Sequence, residues 1–230
     1  MRYMGSKNRI AKEIIPIMLN ERGSRTWVEP FVGGGNMIDK VNGDRIGSDI
    51  NSYVIEALLA IRDSASELPK NNHEFTEEDY KQLRISNDYK FKGYAGFAFS
   101  YAGKWLSGWR RDRVGKRDYV REAYLNAVKQ SPLLKGVSLV NESYLNLELP
   151  NNSLIYCDPP YEGTTSYKDA FNHVEFWQWC RDKAAEGHVV VVSEYNAPSD
   201  FECVWSKEIV SSLTQDTGSK RSVEKLFKFS

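Results

Sequence analysis

Short apolar runs recur along the chain, separated by polar stretches and by segments with helical spacing. The runs with strand-like length and β-branched or aromatic content are residues 26–31, 45–49, 137–143, 153–158, 188–195, 201–209 and 223–229. Apolar residues at helical spacing occupy residues 10–19, 52–62 and 174–185. This alternation predicts an α/β fold with a mostly parallel sheet covered on both faces. The last two strands have no helix between them, which predicts an antiparallel pair at one end of the sheet.

One block, residues 70–130, interrupts the alternation. It is acidic at its start, then aromatic and glycine-rich, and strongly basic towards its end. We predict that it is a small, largely helical lobe inserted into one domain made of residues 1–69 and 131–230. Inserted elements on an α/β scaffold usually carry specificity, so this lobe is the candidate for partner recognition.

Composition narrows the class of protein. The 230 residues are 41% hydrophobic and 27% charged, which is ordinary for one large globular domain. No apolar run approaches the roughly 18 residues that span a bilayer, and the polar first residues do not resemble a signal peptide. We therefore expect a cytoplasmic protein with no membrane partner, and a monomer by default. Three cysteines without a CxxC pair, together with three histidines, suggest no metal site.

A glycine-rich segment, EPFVGGGN at residues 29–36, follows the first predicted strand. Its consecutive glycines allow a ligand to approach the backbone closely, although a plain glycine turn is an open alternative. The segment is neither GxGxxG nor a GK[ST] loop, so a dinucleotide or ATP is not the first expectation. Asp49 ends the next strand and could bind ribose hydroxyls or cap a helix that begins at Asp49 or Asn51. The loop and Asp49 together favour an adenosine-containing cofactor.

The sequence Asp158-Pro159-Pro160-Tyr161 follows the strand at residues 153–158. Ligands of open α/β folds bind at the carboxyl ends of the strands, which is where this carboxylate would lie. Proline lacks an N–H, so the backbone here offers only carbonyl acceptors. A carboxylate and a carbonyl suit an amino group with two hydrogens, and Tyr161 can stack on a flat ring. An extended proline turn or a polyproline ligand is the alternative, but the chain has neither PxxP nor PPxY.

In this order, the glycine loop, Asp49 and DPPY resemble the motifs of the Dam-like (alpha) class of DNA adenine-N6 methyltransferases, which use S-adenosylmethionine. RYMGSK at residues 2–7 resembles the N-terminal cofactor motif of that class, and Glu29 stands where the family usually has Asp. The resemblance covers about residues 1–60 and 137–197. It implies a Rossmann-like methyltransferase sheet with the inserted block as its DNA-recognition lobe.

The resemblance also implies the cofactor residues. Asp49 would hold the ribose, Phe31 would contact the adenosine side, and Gly33 and Gly34 would make room for the methionine end. Tyr3 would lie against the cofactor. The other implied cofactor contacts are Lys7, Asp158 and, in the segment at residues 140–146 that lines the base, Ser143 and Tyr144.

The catalytic residues implied are Asp158, Pro159, Pro160 and Tyr161. Hydrogen bonds from the adenine amino group to the Asp158 carboxylate and the Pro159 carbonyl would stabilise the positive charge that grows on the nitrogen. The target adenine of duplex DNA would be flipped out and would stack on Tyr161. Methyl transfer would then occur by in-line displacement, with S-adenosylhomocysteine as product and no metal.

The end of the inserted block is a candidate DNA-binding segment. In a protein of zero net charge, residues 103–121 hold seven basic against two acidic side chains, a local charge of +5. Such a segment suits phosphate contacts and guanine edges, although a solvated, charge-rich helix is the alternative. The candidates are Lys104, Arg110, Arg111, Arg113, Lys116 and Arg117.

Two features limit what the resemblance implies. GATC-recognising members carry an FNVP-like segment in the lobe, and GFAFSYAGKWLSGWRRDR stands in its place here, so GATC specificity is not transferred. An RNA adenine-N6 or protein glutamine methyltransferase is an alternative, but those relatives more often carry NPPY and lack a large lobe. A catalytically inactive nucleic-acid-binding module on the same scaffold is a further alternative.

Overall fold

The strands form one sheet in the computed structural model, which describes residues 1–112, 114–162, 171–210 and 221–229, without the side chains of residues 210 and 221. In the described part of the chain the strand order is β3-β2-β1-β4-β5-β7-β6. The strands are β1 (Trp27–Glu29), β2 (Arg45–Ser48), β3 (Val137–Val140), β4 (Leu154–Cys157), β5 (Val189–Glu194), β6 (Phe201–Val210) and β7 (Arg221–Phe229).

Strand directions confirm the predicted sheet. Neighbouring strands from β3 to β5 all pair in parallel. β7 is antiparallel both to β5 and to β6. The α/β class, the mostly parallel sheet and the antiparallel C-terminal strand are therefore confirmed.

Helices cover both faces of the sheet. Alternate residues of the central strands face opposite sides, so each strand contributes to a core on both faces. Val28 and Ile155 lie in one core cluster with Phe176, and Trp27 and Tyr156 lie in the other. The first cluster lies under α6, and the second lies under α1, α2, α4 and α5. The helices are α1 (Ala11–Arg22), α2 (Ser52–Ser64), α3 (Glu77–Gln82), α4 (Lys92–Ala98), α5 (Tyr119–Leu134) and α6 (His173–Ala185). Among the described residues, no helix is both long and apolar enough to cross a membrane.

The block at residues 70–130 is packed around aromatic side chains. Phe99 contacts Phe75 and Trp109, with ring centroids 5.0 and 6.0 Å apart. Trp105 stacks on Tyr53 of α2 at 4.1 Å. The tryptophans between the basic residues therefore pack within the fold. The division at residues 70 and 130 stays a prediction, and α5 runs across the second of these positions.

Helices α2 and α4 are in close contact at Gly93. A Cβ atom there would lie 2.5 Å from the carbonyl oxygen of Tyr53 and 3.1 Å from the backbone nitrogen of Ala57. Both are backbone atoms of α2, so neither can rotate away.

We expect Gly93→Ala to lower the free energy of unfolding by about 1–3 kcal/mol, because the added methyl group overpacks this contact. Helix propensity alone would favour Ala by about 1 kcal/mol, so the sign of the change identifies the cause. Urea unfolding followed by circular dichroism measures it. The control is Gly108→Ala, since a Cβ atom at Gly108 has no heavy atom within 4 Å. A Gly93→Ala protein as stable as wild type would contradict the close contact.

Candidate active site

One cleft of about 1970 Å³ opens along the carboxyl ends of the parallel strands. Its walls come from the segment before α1, the loops after β1, β2, β3 and β4, and the first residues of β7. All of the predicted cofactor and catalytic residues line this cleft, namely Tyr3, Lys7, Phe31, Gly33, Gly34, Asp49, Ser143, Tyr144, Asp158, Pro159, Pro160 and Tyr161. The structure thus brings together residues that are far apart in the sequence.

The glycine loop is shaped by close packing against the first residues of the chain. Gly33 has a φ of 47°, a conformation that residues with a Cβ atom rarely adopt. A Cβ on Gly33 would lie 2.9 Å from the ring of Tyr3, and one on Gly34 would lie 2.5 Å from the amide of Asn36. Glycine is therefore required here by the protein's own packing.

Gln130, near the end of α5, holds the same loop from the other side. Its side-chain amide donates hydrogen bonds to the carbonyl oxygens of Gly34 and Gly35, at 3.1 and 3.2 Å. It also donates to the carboxylate of Asp39 at 2.9 Å. The side chain is buried, so these bonds fix the course of the loop. Sequence reasoning missed Gln130, because a polar residue on a helix does not reveal its partners.

Asp49 binds the glycine loop and does not cap the next helix. One oxygen of its carboxylate accepts the N–H of Gly33 at 3.2 Å, and the other accepts the N–H of Asn51 at 2.9 Å. The helix cap belongs to Asn51, whose side-chain oxygen accepts the N–H of Tyr53 at 3.1 Å. Burial raises the pKa of Asp49 to about 6, against the lowering effect of these two hydrogen bonds.

Apolar and aromatic side chains flank Asp49 in the cleft. The ring of Phe31 lies 5.3 Å from that of Tyr144 and 5.8 Å from that of Phe171. Ile50 lines the cleft and is 75% exposed, which is unusual for a large apolar side chain. An exposed isoleucine beside an acid offers a surface for a flat ring. The sequence analysis missed Ile50, because the only indication of its role in the sequence is its position directly after Asp49.

Lys7 reaches Asp158 at the carboxyl end of β4. The Nζ atom of Lys7 lies 2.9 Å from the Asp158 carboxylate and 4.4 Å from the centroid of the Tyr161 ring. Burial alone would lower the pKa of Lys7, but the carboxylates of Asp158 and Glu224 raise it above its ordinary value. Burial raises the pKa of Asp158, and the nearby ammonium of Lys7 opposes that rise.

Two residues outside the predicted set complete this cluster. Glu224 of β7 accepts a hydrogen bond from the Tyr161 hydroxyl at 2.8 Å and lies 3.8 Å from the Lys7 Nζ atom. The ring of Tyr195 meets that of Tyr161 edge to face, with centroids 4.6 Å apart. Because β7 is antiparallel, its beginning reaches the edge where the parallel strands end. Only the strand order could have revealed this placement.

Glu194, the last residue of β5, anchors the segment that follows DPPY. Its carboxylate accepts the backbone N–H groups of Tyr195 at 2.7 Å and Glu162 at 3.2 Å. Burial raises the pKa of Glu194 to about 7, and the two hydrogen bonds act in the opposite direction. Among the described residues, no group of three or more His, Cys, Asp or Glu is placed to hold a metal ion.

The predicted DNA-binding residues differ in their surroundings. Arg110 lines the cleft, and its guanidinium lies 3.7 Å from the centroid of the Tyr119 ring. Arg117 donates to Glu122 at 2.7 Å, and Arg111 donates to Glu77 at 3.1 Å. Lys104 and Lys116 are exposed outside the cleft, and Arg113 lies outside the described residues.

Acidic partners therefore offset part of the basic charge. Glu122 lies 3.4 Å from Arg110 and also binds Arg117, and Glu77 binds Arg111. Neither glutamate belongs to residues 103–121, so the sequence count of +5 overstates the local charge.

The sequence of the chain matches the model of a known protein family. The model of the D12 class of N6 adenine-specific DNA methyltransferases matches residues 3–129, more than half of the 230 residues. The chain belongs to this class. The D12-class match takes in the glycine loop, Asp49 and the basic segment, and it ends before DPPY. The suspected kinship with Dam-like N6-adenine methyltransferases is confirmed.

The relatives described next align with this D12-class chain either over only part of their own length or at low sequence identity. The type II methyltransferase M.FokI from Planomicrobium okeanokoites is 27% identical over 205 residues, which make up 77% of this chain and 31% of M.FokI. The chain thus spans about a third of the length of this curated relative.

Two solved structures align with nearly the whole chain. One is a Haemophilus influenzae protein described as a methylase, which is 10% identical in sequence. The alignment covers 96% of this chain and 97% of the Haemophilus chain, with a TM-score of 0.41. The other is described as a methyltransferase in complex with S-adenosylhomocysteine. It is 11% identical in sequence, and the alignment covers 97% of this chain and 52% of the methyltransferase chain, with a TM-score of 0.35.

The raised pKa of Glu194 predicts a pH dependence of stability. The folded state keeps the proton up to about pH 7, whereas the unfolded state releases it near pH 4.5. Stability contributed by this proton is complete below pH 4.5 and is lost as the pH rises to 7. The loss is on the order of 2 kcal/mol.

We therefore expect wild type to lose stability relative to Glu194→Gln as the pH rises through this range. Urea unfolding of both proteins at pH 4.5, 5.5 and 7 measures the difference. Glu202→Gln, at an exposed glutamate on β6, is the control and should follow wild type. Parallel curves for wild type and Glu194→Gln would contradict the prediction.

Proposed function

We propose that the protein transfers a methyl group from S-adenosylmethionine to the N6 amino group of an adenine in DNA. The observation that carries the proposal is the position of Asp158. It follows β4 into the cleft, has 20% of its side chain exposed, and lies beside both Lys7 and Tyr161. Membership of the D12 class supports the reaction type and the DNA substrate.

The cleft fits the proposed cofactor. The carboxylate of Asp49 offers a polar contact to a ribose, and the glycine loop lets an amino-acid moiety approach the backbone closely. Ile50 and Phe31 both line the cleft, and their apolar surfaces suit an adenine ring. When bound, S-adenosylmethionine supplies a sulfonium methyl group as the electrophile. Lys7, Tyr3 and the glycines Gly33 and Gly34 would line the methionine end.

Asp158 and Pro159 would hold the target amino group. The N6 lone pair is delocalised into the adenine ring and is a weak nucleophile. A carboxylate and a carbonyl that accept its two hydrogens favour a more pyramidal nitrogen and stabilise the positive charge that develops there. Pro160 restricts the backbone that carries these acceptors, and the Tyr161 ring would stack on the adenine.

The lobe would bind duplex DNA while the target base enters the cleft. An adenine inside a duplex cannot reach Asp158, so base flipping is required. The exposed cations Lys104 and Lys116 suit phosphate contacts, with Arg111, Arg113 and Arg117 as further candidates. Arg110 differs from these, because Tyr119 and Glu122 orient its guanidinium at the rim of the cleft. An arginine held in one orientation suits the edge of a guanine.

We expect Asp158→Ala to reduce methyl transfer to DNA by at least about 100-fold, because the transition state loses its main electrostatic contact. Transfer of labelled methyl groups to a mixed DNA duplex measures the effect, and circular dichroism verifies that the variant is folded. Asp182→Ala, at an exposed aspartate on α6, serves as the matched control and should retain activity. Substantial turnover by Asp158→Ala would refute the assignment. Transfer to RNA but not to DNA of the same sequence would favour the RNA alternative.

We expect the triple variant Lys104→Ala, Lys116→Ala and Arg117→Ala to bind DNA more weakly and with less salt dependence. Each lost phosphate contact should reduce the slope of log K against log salt by about 0.9. Fluorescence anisotropy with a labelled duplex at several salt concentrations measures the slope. A control removes three charges elsewhere, at Lys90, Lys135 and Lys183, and should preserve the slope. An unchanged slope in the lobe variant would mean that the basic segment is a solvated surface.

A further inference from the structure

Lys7 lies where the proposed function requires the target amino group. Its ammonium is 2.9 Å from the Asp158 carboxylate and 4.4 Å from the centroid of the Tyr161 ring. These are the same two contacts that hold the adenine in the proposed reaction, one to the amino group and one to the ring. Lys7 and an adenine amino group therefore compete for Asp158.

A second carboxylate lies next to this ammonium. Among the described residues, Glu224 is the other carboxylate within 4.0 Å of the Lys7 Nζ atom, at 3.8 Å. That distance is longer than a charge-assisted hydrogen bond, so a short movement of Lys7 away from Asp158 would form one. Lys7 is only 8% exposed, so it cannot exchange Asp158 for water at low cost.

We propose that Glu224 is a positioning residue that accepts Lys7 when the target base takes its place at Asp158. This inference rests on the proposed function and adds a residue that neither DPPY nor the N-terminal motif includes. With Lys7 on Glu224, the ammonium stays paired and Asp158 is free to accept the amino group. Without Glu224, entry of the base would leave a buried ammonium without a carboxylate partner and with only the Gly5 carbonyl, at 3.3 Å, as an acceptor.

The surroundings of Glu224 fix it for this role. The oxygen that faces Lys7 also accepts the Tyr161 hydroxyl at 2.8 Å. Tyr195 packs edge to face against Tyr161 and limits its movement. Glu224 comes from β7, whose pairing with β6 aligns it with Lys207. The carboxylate is thus fixed on a sheet, while Lys7 has a flexible four-carbon chain that can move between the two acids.

The experiment compares Glu224→Gln and Glu224→Ala with wild type. Glutamine still accepts the Tyr161 hydroxyl but cannot pair with an ammonium by charge, so both variants should be impaired. We expect at least about a tenfold fall in the single-turnover rate of methyl transfer. A duplex with 2-aminopurine next to the target adenine reports entry of that adenine by fluorescence, because flipping it out unstacks its neighbour, and this signal should weaken in parallel. Glu202→Gln, the same change on β6, is the control and should match wild type.

A second part of the experiment removes the Lys7 ammonium, which competes with the adenine amino group for Asp158. If Glu224 acts by accepting Lys7, Glu224→Gln should change base entry little in a Lys7→Met background, where no ammonium needs a partner. An equal loss in both backgrounds would overturn the proposal, as would full activity of Glu224→Gln in the wild-type background. Failure of the proposed function has a different outcome, because wild type itself would then not methylate adenine.

Discussion

The ion pair between Lys7 and Asp158 joins the first residues of the chain to the central strand of the sheet. Lys7 belongs to the segment before α1, and Asp158 follows β4 at the centre of the sheet. Breaking such a pair by removing one partner leaves a buried charge uncompensated, which is costly. Glu224, which lies beside Lys7 and accepts the Tyr161 hydroxyl, adds β7 to this connection between the first residues of the chain and the end of β4.

The block at residues 70–130 also packs against the first residues of the chain, which line the cleft. Phe97 of α4 packs against the ring of Tyr3 at 5.4 Å, and the carbonyl of Gly103 accepts the N–H of Met4. A Cβ on Gly103 would lie 3.0 Å from the backbone of Tyr3. The lobe thus supports the N-terminal motif, which in turn packs on Gly33.

Local sequence patterns predicted the strands, because a buried strand shows itself in the apolar residues of a short run of the chain. The run at 153–158 became β4, and the acid after it reached the cleft because parallel strands end at one edge. The pattern could not foretell Glu224, since its place depends on which strand pairs with β5. It also could not foretell that Glu77 would bind Arg111, because these residues lie 34 positions apart. Pairing across such separations is a property of the packed fold.

Helix α5 begins beside the arginines and ends at the glycine loop. Glu122 in its first turn binds Arg117, and Gln130 near its end holds Gly34 and Gly35. Its 16 residues form a rigid rod about 24 Å long. A ligand that shifted α5 at its first turn would also shift the contacts of Gln130 with the glycine loop. Polyanion and nucleoside affinities would then be thermodynamically linked, so each ligand would change the affinity for the other by the same factor.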